Sequence, residues 1–131
     1  MNFKNQSKLK AVTFSYDDGV TQDIRLIELL NKYGLKCTFN LNSEKLDTHY
    51  IIVKPDVRIS QYKLHHSDVK FVYENHEVAA HTLTHPNLKN VADDAEVIRQ
   101  VLEDQKTLEA LVEKPVFGMA YPCGGDCYDD R

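Results

Sequence analysis

Thr13-Phe14-Ser15-Tyr16-Asp17-Asp18-Gly19 is the stretch from which the rest of the chain is read. The run Leu9 to Phe14, broken only by the charge of Lys10, predicts a strand that stops at two adjacent carboxylates and a glycine. Acids at a strand end gain nothing from packing, so their place there points to chemistry. Consecutive residues of an extended chain face opposite sides, so Asp17 and Asp18 are expected to divide the work, one holding a metal and the other handling protons. Further on, His81-Thr82-Leu83-Thr84-His85 sets two imidazoles four residues apart, on one face of a helical turn or tight loop. Two histidines and one carboxylate leave coordination positions open, as catalytic rather than structural ions require. Singly, each motif has a plainer reading, a turn for Asp-Asp-Gly and a helix surface for the histidine pair; at two strand ends of one chain they converge on a metal site.

Outward from Gly19, Ile24, Ile27 and Leu30 recur at helical spacing between Asp23 and Tyr33, with Leu26 and Leu29 widening the apolar face and Gly34 at a position that suits a left-handed helix end. Cys37, Phe39 and Leu41 alternate with Thr38 and Asn40, which predicts a second strand and so a β-α-β opening with a parallel crossover. From 42 to 73 the apolar pieces Ile51-Ile52-Val53, Val57 and Ile59 show no dominant period, and this region is expected to leave the core. A short helix capped by Ser67 or Asp68 and ending near Tyr73 follows. Glu77-Val78-Ala79-Ala80 then predicts a small strand delivering His81. Val91, Ala95, Ile98, Leu102, Leu108 and Val112 trace one face of a long helix ending before Pro115, with the acids on its outside. Val116 to Tyr121 completes the pattern as a fourth strand. The fold class is α/β, a single domain over 1–131 with parallel (β/α) units and the functional groups at the carboxyl ends of the strands. Four strands cannot close a barrel, which takes about eight, so a bare sheet edge and an uncovered apolar face are expected, and with them self-association as a homo-oligomer.

The composition is that of an ordinary globular domain: 131 residues, 42% hydrophobic and 27% charged. A formal net charge of −4 carries no footprint for nucleic acid. No apolar leader precedes Lys10 and no window approaches a membrane span, so a cytoplasmic location with no membrane association is the default expectation. Cys37, Cys123 and Cys127 are too few for a disulfide framework, and Cys123 and Cys127 are expected to be free thiols in a glycine loop. His65 and His66, adjacent in sequence, are expected to be solvated rather than ligating.

With these residues in view, the chain resembles the polysaccharide deacetylases, the NodB-homology carbohydrate esterases. Thr13-Phe14 and Asp17-Asp18-Gly19, with Ser15-Tyr16 between, are similar to the first family motif, and His81, Thr82 and His85 to the second. The resemblance implies a distorted (β/α) barrel of which about the first half is present. It implies that Asp17 is the general base and that Asp18, His81 and His85 ligate a divalent metal ion, commonly zinc. Ala120-Tyr121-Pro122-Cys123-Gly124 is similar to the third motif, with Ala120 in place of an arginine that orients the base and Cys123 at a position that offers a backbone N–H to the oxyanion. The motifs that would supply tryptophan and a late general-acid histidine find no match: the chain has no tryptophan and no histidine after His85. The activity implied is metal-dependent removal of acetyl groups from an N- or O-acetylated carbohydrate. The alternative is a non-catalytic fragment that holds metal or glycan.

Overall fold

The computed structural model describes residues 10–124; Cys127 and the start of the expected first strand at Leu9 lie outside them. Three parallel strands form the central sheet in the order β1 (Ser15–Asp17), β2 (Thr38–Leu41), β5 (Glu77–Ala80). β1 therefore begins where the sequence had placed its end, and the chain runs straight from strand into acid pair. Helix α1 (Asp23–Lys32) makes the crossover from β1 to β2. It ends with Gly34 at φ +65°: the Leu35 N–H donates to the Leu30 carbonyl at 2.8 Å and the Gly34 N–H to Asn31 at 3.1 Å, which satisfies carbonyls that the last turn leaves free.

The region expected to leave the core does so as an antiparallel hairpin, β3 (His49–Lys54) and β4 (Val57–Tyr62), outside the central sheet. The sequence shows no strand period here because both faces carry apolar residues. Ile51, Ile52, Val53, Val57 and Ile59 are all exposed, so no alternation of burial marks the strands. The hairpin is fastened at its base, where the Thr21 N–H donates to the Tyr62 carbonyl and the Leu64 N–H to that of Gly19, each at 2.9 Å. Helix α2 (His66–Val72) then leads into β5, and the long α3 (Asp94–Val112) follows, capped by the Asp93 carboxylate accepting from the Ala95 N–H at 2.9 Å. The expected strand at Val116 to Tyr121 is reduced to one parallel bridge, Ala80 to Met119. Proline and glycine flanking this short segment leave too little extended chain to build a ladder. No helix among the described residues is long and apolar enough to cross a membrane.

The core lies between one face of the sheet and the helices. Phe39, Leu41, Val69, Tyr73, Leu108 and Val116 are buried there, with the Phe39 and Tyr73 rings 4.8 Å apart. Burial on α3 departs from the sequence reading: Ile98 and Leu102 are exposed, whereas Gln100 and Asp104 join Leu108 and Val112 on the buried side. The opposite sheet face is polar rather than apolar. The register sets Ser15, Thr38 and Glu77 in one row, and Asp17, Asn40 and Ala79 in the next. Thr38 donates to the Glu77 carboxylate across the first row.

Asp23 is a second buried carboxylate, in addition to Asp104. Burial pushes the Asp23 carboxyl up to about 6, against the opposing pull of the Tyr73 hydroxyl, which donates to it at 2.6 Å. A folded-state value above the unfolded one means that this group's stabilisation is full below about pH 4 and is lost as pH rises through 6. Asp23→Asn keeps an acceptor for Tyr73 and should remove on the order of 2–3 kcal/mol of pH dependence between pH 4 and 7. Urea unfolding across that range, with chelator present, measures it; an unchanged difference between wild type and variant at the two ends would refute the assignment.

Candidate metal centre

Asp18, His81 and His85 each offer a ligand atom, and these atoms lie within 4.8 Å of one another. They come from the exits of β1 and β5, where the parallel strands point their carboxyl ends the same way. Asp18 has φ +82°, and its N–H donates to the Asn40 carbonyl at 2.9 Å, a turn that swings its carboxylate away from that of Asp17. Gly19 follows at φ +61°, and a side chain there would meet Leu41 Cδ2 at 3.2 Å, so the turn admits only glycine without a shift.

The two histidines share no helical turn. Thr82 (φ +67°) and His85 (φ +63°) are both left-handed, and the tight loop between them brings the imidazole centroids to 4.9 Å at 74°. The loop is held by buried polar groups: Thr82 Oγ1 accepts from the His85 N–H at 3.2 Å, and Asn42 donates to the carbonyls of His81 and of Thr82, the latter at 2.8 Å. Gln100 accepts from the Thr84 N–H at 3.1 Å and donates to its hydroxyl at 3.0 Å. Asp104 binds three donors. It accepts from the Ser43 N–H at 2.8 Å, the Ser43 hydroxyl at 2.7 Å and the His81 N–H at 3.0 Å, so one buried carboxylate joins the exits of β2 and β5. Burial holds its carboxyl above the ordinary range while these donors draw it back.

The electrostatics suit a cation. His81 Nδ1 is 2.9 Å from the Ala120 carbonyl, so that nitrogen carries the proton and Nε2 keeps its lone pair for the site. Burial lowers the His85 imidazole below its usual value, outweighing the upward pull of Asp18, a shift toward the neutral form that ligation uses. His85 Nε2 stands 3.7 Å from Asp18 Oδ1, close to the separation of about 3.4 Å that two donors take around a tetrahedral zinc ion. The donor set therefore fits a divalent ion of the zinc type.

Asp17 stays outside this set. Its Oδ1 accepts from Asn40 Nδ2 at 2.7 Å on the polar sheet face. Cys123, at φ +74°, has its sulfur 3.7 Å from His85 Nδ1. Sequence reasoning missed Asn40, Asn42, Gln100, Asp104 and Lys63. Lys63 is almost wholly buried; its ammonium donates to the Asp18 carbonyl at 2.8 Å and lies 3.6 Å from the carboxylate. The sequence did carry a signal for Asn40, since the parallel register of a β-α-β unit sets it opposite Asp17. His65 is exposed and His66 half-buried, and neither is free: both grip the carboxylate of Asp47. The hydrogen bonds from the two rings lower that carboxyl to about 2.

Asp104→Leu leaves the Ser43 N–H and hydroxyl unpaired in the interior, while the His81 N–H keeps the Leu41 carbonyl at 3.0 Å; it should cost on the order of 3 kcal/mol, whereas Ser43→Ala, which removes one donor, should cost about 1 kcal/mol. Denaturant unfolding of both variants separates the two; equal, small losses would show that the carboxylate is not a structural hub.

Comparison with known proteins bears on the same residues. No curated protein sequence matches the chain. Among solved structures, the deacetylase PplD of Streptococcus pyogenes superposes with a TM-score of 0.73 at 20% identity, over 95% of this chain and 50% of that one. IcaB from Ammonifex degensii also gives 0.73, at 15% identity, over 88% and 52%. The peptidoglycan deacetylase PdaC of Bacillus subtilis gives 0.61 at 21% identity, over 92% and 52%. The chain thus spans about half the length of each, and at these identities the likeness shows the fold, that of the (β/α) units expected from the sequence. The family model for polysaccharide deacetylase matches residues 4–131, nearly the full chain, and on that match this protein belongs to the polysaccharide deacetylase family.

Proposed function

We propose that the site serves metal-dependent hydrolysis of acetyl groups on a carbohydrate, with Asp18, His81 and His85 as ligands of a divalent ion, zinc foremost. The observation that carries this reading is the convergence of the three donors at the strand ends, with the His81 tautomer fixed by Ala120. A bound ion there would supply Lewis-acid polarisation of the acetyl carbonyl and a water of lowered pKa. Asp17 is the general base. Asn40 occupies one of its oxygens and leaves the other to take the proton of the attacking water, in the orienting role for which Ala120 has no side chain. The Cys123 backbone N–H is the candidate donor to the oxyanion.

The reading has an open position, the acid that protonates a leaving amine. Among the described residues no histidine beyond the triad borders the site: His49 stacks on Tyr62, His65 and His66 hold Asp47, and His76 packs edge-on against Phe39. This favours, as a second reading, a chain that holds metal or glycan without turning over. The family contains a precedent for loss of activity in a pseudoenzyme whose mutant, with activity restored, superposes at a TM-score of 0.64 and 25% identity.

Two measurements test the proposal. The purified chain should retain about one zinc per molecule after dialysis, and His81→Ala or His85→Ala should abolish retention; a wild type free of stoichiometric ion would sink the metal assignment. Second, acetate release from an aryl ester, whose leaving group departs unprotonated, should exceed release from an N-acetylglucosamine oligomer by about a hundredfold to ten-thousandfold. Asp17→Asn should remove the ester activity and spare the zinc. Equal rates on both substrates would mean that a general acid has been overlooked, and no chelator-sensitive rate on either would establish the binding reading.

A further inference from the structure

The hairpin and the metal centre share an open cleft of about 330 Å³, lined by Asp18, Lys63 and His85 together with Lys45, Tyr50, Ile51, Ile52 and Gln61. The hairpin register puts three of these residues, Tyr50, Ile52 and Gln61, on one face, while Ile51 belongs to the other. Tyr50 lies opposite Gln61 and Ile52 opposite Ile59, so these four share one face. Tyr50, Ile52 and Ile59 are exposed on that face and Gln61 is half-buried, an apolar wall with one amide, suited to the C–H face of a pyranose ring.

The charges in the cleft are unequal. Two ammonium groups flank the Tyr50 ring, Lys45 Nζ at 4.9 Å and Lys63 Nζ at 6.0 Å from its centroid, against a single lining carboxylate, Asp18. Lys63 is committed to Asp18, through its carbonyl at 2.8 Å and its carboxylate at 3.6 Å. Lys45 is half-buried, and no carboxylate among the described residues pairs with it. The neighbouring acid, Glu44, turns toward Arg99, 3.6 Å away. A neutral glycan would leave this cation without a counter-charge, whereas an acidic sugar placed on the Tyr50–Ile52 wall would meet it within a short walk of the triad.

We propose that this cleft is a subsite for an anionic sugar unit adjoining the acetylated one, so that the preferred substrate is an acetylated glycan bearing carboxylate or phosphate groups, recognised by Lys45 over a hairpin wall of Tyr50, Ile52 and Gln61. The inference rests on the deacetylase reading of the triad. It goes beyond that reading by naming the substrate's charge.

Calorimetric titration of the zinc-supplemented protein, at low and at high salt, compares three probes: a neutral N-acetylglucosamine tetramer, a tetrasaccharide alternating N-acetylglucosamine with glucuronic acid, and a 6-phosphorylated N-acetylglucosamine oligomer. One or both acidic probes should bind about tenfold more tightly than the neutral one at low salt, and the two acidic arms tell carboxylate from phosphate. The preference, read as the ratio of acidic to neutral affinity within each variant, should shrink at high salt, vanish in Lys45→Gln and persist in Lys45→Arg. Equal binding of neutral and acidic probes, or a preference that survives Lys45→Gln, would overturn the subsite and leave the deacetylase reading intact. Failure of all three probes to bind would overturn both.

Discussion

The carboxylate of Asp104 is the contact on which the site depends. It sits on the buried side of α3, reaches across to the ends of two parallel strands, and satisfies the N–H of His81 together with both donors of Ser43. Past the end of β2 the buried Ser43 N–H has no ladder partner and takes the carboxylate instead, while the His81 N–H shares it with the Leu41 carbonyl at 3.0 Å. Placing an acid on the packing helix answers those donors at the points where the chain must stop being a strand and become a site. Gln100, one helical turn earlier, does the same for Thr84. The helix therefore contributes more than apolar cover: its polar buried residues set the path of the histidine loop.

That path is the second constraint. Left-handed residues at Asp18, Thr82, His85 and Cys123 cluster where the strands end, and each changes the direction of the chain within a single residue. Such conformations persist in non-glycine residues only when surrounding bonds over-determine them. Here those bonds are visible, from Asn40 to Asp18, from Thr82 to His85, and from Asn42 to the His81 and Thr82 carbonyls. Three donor atoms thus meet although no regular element presents them together.

Backbone atoms take over work that side chains leave undone. At position 120 alanine has nothing to offer Asp17, but its carbonyl fixes the His81 tautomer and its N–H donates to Ala80 at 2.9 Å, extending the sheet by one bridge. Asn40 supplies the donor to Asp17 from the neighbouring strand. Lys63, brought in by the hairpin, places a buried cation against Asp18, and burial lowers its own pKa although Asp18 pulls the other way. The hairpin is thereby part of the site as well as an appendage to the fold.

The β-α-β opening, the strand Glu77–Ala80 and the members of the triad were legible in the sequence because each depends on local pattern: periodicity, a glycine at a helix end, or ligand-type side chains at a strand exit. The start of β1 was misjudged because three residues pairing along one edge of a parallel sheet carry little apolar signal of their own. The hairpin was missed because its two faces are equally exposed, and the burial of Asp104 because a carboxylate in a helical pattern is expected to face solvent unless donors from elsewhere await it. Those donors belong to residues 61 and 23 positions away in sequence, Ser43 and His81. The sequence by itself determined which groups can do chemistry, since that follows from residue type. Only the tertiary structure decided which of them meet, which nitrogen of His81 is free and which charges line the approach, because these depend on atoms brought together by packing between distant segments.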